Sequence, residues 1–137
     1  MSFSNFLAAK LLDHIFNDVA YTPPTNVYVA LSSTTPSDAG TGVTEPSGGS
    51  YARVSTSAAT WNAATSANPS VKDNATAITF PTATADWVAG ANLTYFVLYD
   101  AATVGNMLAF GALSVAKPIL NGDTAEFAIG SLDITLT

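Results

Sequence analysis

Past Pro23-Pro24 the apolar residues of this chain stop recurring every three or four positions and begin to alternate. That change of period constrains the fold more than any other feature. A four-residue stripe belongs to one face of a helix, and a two-residue alternation to a strand with one face buried. Before the prolines, Phe3, Leu7, Leu11 and Ile15 form the stripe, and Leu12, Phe16 and Val19 widen it. One amphipathic helix within residues 1–20 is predicted. Ser2 or Ser4 offers the capping oxygen, and Asn17 with Tyr21-Thr22-Pro23-Pro24 ends the helix. Lys10, Asp13 and His14 take its polar side.

After the prolines, Val27, Val29 and Leu31 share one strand face. Further strands are predicted at Tyr51–Ser55 and at Ala75–Phe80, with Ile78 and Phe80 inward, then at 93–99, 107–112, 114–116, 125–129 and 132–136. Turn signals separate them at Asp100–Asn106, Asn121-Gly122-Asp123 and Gly130-Ser131. Leu93–Tyr99 is apolar on both faces, which predicts a central strand covered on each side, by the helix or by a partner. The reading is mainly β: an antiparallel β-sandwich or jelly roll over 25–137 with one amino-terminal amphipathic α-helix, in a single domain 1–137. Two long loops, Ser32–Ser50 and Thr56–Asn74, interrupt it, and loops of that length in a small domain usually work or are ordered by contact.

Only 10% of the residues are charged, against roughly a quarter in an average soluble domain. The polar surface must therefore be hydroxyls, amides and peptide groups, which are cheaper to desolvate than charges and suit contact with other protein. Net charge is −6, and the cations Lys10, Arg53, Lys72 and Lys117 are scattered, so no nucleic-acid partner is expected. No apolar run reaches the roughly 20 residues of a membrane span. The amino end lacks a basic signal region, so neither a membrane partner nor a targeting segment is expected. There is no cysteine.

Catalytic chemistry is thin. His14 is the only histidine and sits on the predicted polar helix face beside Asp13, which argues against a Ser–His–Asp arrangement. The carboxylates show neither an EF-hand loop nor paired glutamates, and several occupy turns where Asp bonds its own backbone. A calcium site built from Asp38 and Asp73 is a minor alternative; no cofactor and no metal are expected. Gly40-Thr41-Gly42 has no following helix and is no phosphate cradle. Asn74-Ala75-Thr76 and Asn92-Leu93-Thr94 match the glycosylation sequon. Trp87 and the tyrosines are expected to close the sandwich, and Trp61, alone in a polar loop, to stand out as an exposed anchor.

Five segments carry a resemblance. They are Leu11–Phe16, Tyr21–Pro24 running into Val27–Leu31, Thr44–Val54, Ala77–Thr84 with Trp87, and Asp100-Ala101-Ala102 followed by Gly111-Ala112-Leu113. Together they resemble a family of small tailed-bacteriophage virion proteins, often loosely labelled tail-fibre proteins. The resemblance implies a non-enzymatic structural protein of the virion, assembled in the host bacterial cytoplasm. Its partners would be other virion proteins, either major capsid or tail. Size, strand pattern, low charge and long loops favour a capsid decoration (cement) protein that is a homo-oligomer, with a trimer expected. The alternative is a tail-fibre or baseplate accessory domain contacting a host receptor or glycan. The candidate interface residues are Leu7, Leu11, Ile15, Phe16, Tyr51 and Trp61.

Overall fold

The helix forms where the stripe lies but is shorter than residues 1–20. In the computed structural model, which describes residues 1–137, α1 spans Asn5–Phe16. Of the two candidate serines, Ser4 is the cap: its Oγ accepts the Leu7 amide at 3.1 Å. The same hydroxyl donates to the Met107 carbonyl, and the Ser4 amide donates to the Leu108 carbonyl at 2.9 Å. One buried serine thus starts the helix and pins it to the sheet. The Asn17 amide closes the last turn on the Asp13 carbonyl, and Asp18 at φ 54° turns the chain away.

The strands are β1 Ser2–Phe3, β2 Val27–Ser32, β3 Val54–Thr56, β4 Ser70–Asp73, β5 Ile78–Thr79, β6 Leu93–Tyr99, β7 Met107–Lys117, β8 Glu126–Phe127 and β9 Asp133–Leu136. A five-stranded sheet runs in the order β1-β7-β6-β2-β3, and two small ribbons pair β4 with β9 and β5 with β8. Every pairing is antiparallel. The protein is therefore mainly β with one helix near the amino end, as the change of period predicts. Three differences have local causes. β1 is two residues long and gives no period to read. β4 lies inside the predicted loop Thr56–Asn74 and is largely polar, held by its ladder to β9. Residues 107–112 and 114–116 are one strand, and its partner register jumps from Tyr95↔Ala112 to Leu93↔Lys117. Residues 113–116 consequently bulge out of the ladder.

Val29, Leu31, Phe96 and Leu98 point from the large sheet toward Ile78, Phe80, Leu132 and Trp87, and these residues form the main core. Gly111 lets Phe96 lie flat across β7, since a Cβ there would sit 2.7 Å from the ring. Phe96 then meets Phe127 edge-on at 6.2 Å. On the opposite face, Ala30, Val97, Tyr99 and Met107 are buried with Tyr28, Val43 and Phe110 packed against them. The central strand β6 is thus covered on both sides as its composition predicts. The covers are the ribbon layer and the loop Ser32–Ser50, whereas α1 lies against β7 at the sheet margin.

Candidate interaction surfaces

The loop Ser32–Ser50 and the segment leading into β3 are fastened by one charged side chain on each. Arg53 Nη2 donates to Glu45 Oε1 at 2.6 Å, and Arg53 Nε lies 3.1 Å from both carboxylate oxygens. Arg53 Nη1 donates to the carbonyls of Ala101 and Val104 at 2.9 and 2.8 Å, and its guanidinium stacks 3.5 Å from the centre of the Tyr99 ring. The Tyr51 hydroxyl donates to Glu45 Oε2 at 2.9 Å and accepts the Leu31 amide at 3.0 Å. Burial pushes the Tyr51 phenol far above its ordinary pKa, and the Glu45 charge adds to that push. The Tyr99 phenol is raised for the same two reasons in the same order. Glu45, Tyr51 and Arg53 each bond neighbouring groups, so the clamp is built to hold loops.

Tyr51, a candidate interface residue, is therefore internal: its ring meets Trp87 edge-on at 5.1 Å and stacks near Phe80 at 6.3 Å. Trp61 is also placed differently from the exposed anchor predicted for it. It is half-buried against the core, and its indole N–H donates to Thr56 Oγ1 at 3.1 Å. The sequence signal was misleading because its loop is held back by a bridge between Trp61 and Asn74. Asn74 is fully buried. Its amide nitrogen donates to the carbonyls of Thr76 and Ala128, and its oxygen accepts the amides of Ser131 and Leu132. The sequon at Asn74 is thus sealed inside the protein. Asp38 and Asp73 do not converge on an ion. Asp38 accepts the Ser2 hydroxyl at 2.6 Å, Asp73 accepts the Asn62 amide, and no three metal-ligating side chains cluster anywhere. His14 is exposed, with Nδ1 3.2 Å from the Val19 carbonyl.

The remaining candidates lie on α1, and the structure divides them. Leu7 packs half-buried against the core and Leu11 is half-buried, while Ile15 is 68% and Phe16 77% exposed. Leu12, at 59%, joins these two at the spacing of one helical face, and Val19, beyond the turn at Asp18, is 48% exposed. α1 thus turns one apolar face to the sheet and a second to solvent.

A second feature, a cleft of mixed polar and apolar lining, opens along β7 from Gly111 to Lys117 and reaches Met1. The cleft is open, measures about 560 Å³, and takes in the bulge 113–116. Leu31, Phe96, Leu113, Val115, Phe127 and Leu132 line it. Lys117, Glu126 and Asp133 line it as well.

A family model described as Podophage GP4 fiber I protein gp80 matches residues 2–135. The chain belongs to that fibre I family. Among curated proteins none matches it. Membership makes it a phage fibre-related structural protein of the virion. The segments that carry the sequence resemblance now have physical jobs. Thr44–Val54 is the clamp loop, Phe80 and Trp87 are its aromatic bed, Ala101 takes the Arg53 bond, and Gly111 makes room for Phe96. Leu11–Phe16 is the exception among them: three of its apolar side chains, Leu12, Ile15 and Phe16, are left in solvent.

Proposed function

We propose that this fibre I family member is a non-enzymatic module of the tail-fibre apparatus, where it docks against other virion proteins. The family match over residues 2–135 carries the reading. The clamp supports it, because its ionisable side chains are consumed in holding loops. So does the exposed single histidine, which no nucleophile or carboxylate approaches within hydrogen-bonding distance. Size, low charge and long loops suit a head decoration protein equally well, and the fibre family tips the choice to the tail. Cryo-electron microscopy of particles decorated with an antibody against this chain is the test. Density on tail fibres is expected; density confined to the head shell would return the decoration reading.

A further inference from the structure

Of residues 1–26, the whole stretch before β2, Ser4 alone is buried. α1 itself contains no buried residue. Every hydrogen bond from this stretch to the rest of the chain starts within Ser2–Asn5. Ser2 and Phe3 pair with Phe110 and Ala109 of β7. The Ser4 amide and hydroxyl donate to the Leu108 and Met107 carbonyls. The Asn5 amide donates to the Asp38 carbonyl at 2.7 Å, and the Ser2 hydroxyl to the Asp38 carboxylate at 2.6 Å. Past Asn5, α1 is held by packing alone, chiefly Phe6 and Leu7 half-buried against the core.

The tether from Asn17 to Asn26 is looser still. Its hydrogen bonds run back to α1, from the Asn17 and Val19 amides to the Asp13 carbonyl and from the Tyr21 amide to His14 Nδ1. None reaches beyond Asn26. Whatever precedes such a tether can leave the sheet without disturbing β2.

We infer that residues 1–26 form a strap that comes off the sheet as one unit, with Ser4 as its latch. The inference is independent of the tail-fibre reading. Ser4 couples the two halves of the strap: the hydroxyl that bonds Met107 also caps α1, so release takes the cap away with the anchor. A helix of 12 residues is marginal in water by itself, so α1 melts once it leaves β7. Release also strips β1 from β7 and leaves Ala109 and Phe110 as an unpaired strand edge. Segments with few buried contacts open at the low end of a protein's stability range. β6, paired on both sides and covered on both faces, stands at the other end.

Native-state hydrogen exchange on dilute protein in increasing urea tests the strap. The amides of Ser4, of Asn5 and of α1 from Ala8 onward should exchange through one shared opening. Their protection should be at least about 100-fold lower than that of Val97 and Leu98 in β6. The opening should depend only weakly on urea, because it exposes little surface. Ser4→Ala should speed the whole set about tenfold. Asn5→Pro is the second variant. Proline suits the first helical position, and Ser4 before it is already extended at φ −68° and ψ 156°. The helix is therefore kept while the bond to Asp38 is lost, and the Ser4 and α1 amides should speed up together, severalfold. Three results overturn the inference. One is α1 amides that open only together with β6. Another is Ser4 and Asn5 amides held at the β6 level while α1 exchanges, which would mean a helix fraying about a fixed latch. The third is an Asn5→Pro protein in which the α1 rates do not move.

Discussion

The loop face and the helix end of this protein treat their few charged residues in opposite ways. On the loop face, Glu45, Tyr51, Arg53 and Tyr99 close on one another and on the carbonyls of Ala101 and Val104. At the helix end, Lys10 bonds no oxygen and Leu12, Ile15, Phe16 and Val19 face water. A region whose polar groups are all spent contributes stability and presents little to a partner. A region with unspent apolar surface contributes little to the monomer and much to contact. The clamp should therefore be sensitive to mutation in dilute protein, and the helix end only when the protein assembles.

Arg53→Ala should have the largest effect. It strands a half-buried carboxylate and frees two loops, and urea denaturation should show a loss of about 3 kcal/mol. A loss near zero would erase the distinction between the two regions. Asn74→Ala comes next. It removes the amide that ties β4 to the turn before β9, and about 2 kcal/mol should be lost.

Tyr51→Phe is smaller, about 1 kcal/mol at neutral pH, and carries a pH signature. A phenol whose folded pKa is raised keeps its proton while the unfolded chain, with tyrosines near pH ~10, gives it up. Its stabilising contribution is present below pH ~10 and falls as pH rises beyond that. Denaturation measured from pH 8 to 11 should show a steep alkaline decline in the wild type and a shallower one in Tyr51→Phe. Equal slopes would mean that the Tyr51 phenol is not shielded. Ile15→Ser should be the smallest change, within about 0.5 kcal/mol of wild type in dilute solution. A larger loss would place that face inside the monomer's own packing.

Much of the scaffold was legible because it rests on period. Val29, Leu31, Ile78 and Phe80 were placed by alternation, β6 by being apolar on both faces, and capping chemistry narrowed the helix ends to Ser2 or Ser4 and to Asn17. The interaction surfaces were half legible. The α1 stripe was visible, but which part faces water depends on where the helix meets β7, and Ser4 sets that through a contact 103 residues away. Trp61 was read as exposed because its neighbours are polar, and Tyr51 was read both as closing the sandwich and as a candidate interface residue. Their burial comes from Glu45, Thr56 and the Asn74 bridge, which no local pattern encodes. The cleft left one trace, the break in the strand pattern at Leu113, and its meaning needed the register of β6 against β7.

Hydrogen exchange on dilute wild type and on Arg53→Ala tests the division into a closed loop face and an open helix end most directly. The account predicts that Arg53→Ala loses protection over residues 44–53, with residues 5–16 unchanged. Unchanged protection over 44–53, or an equal loss over α1, would contradict it.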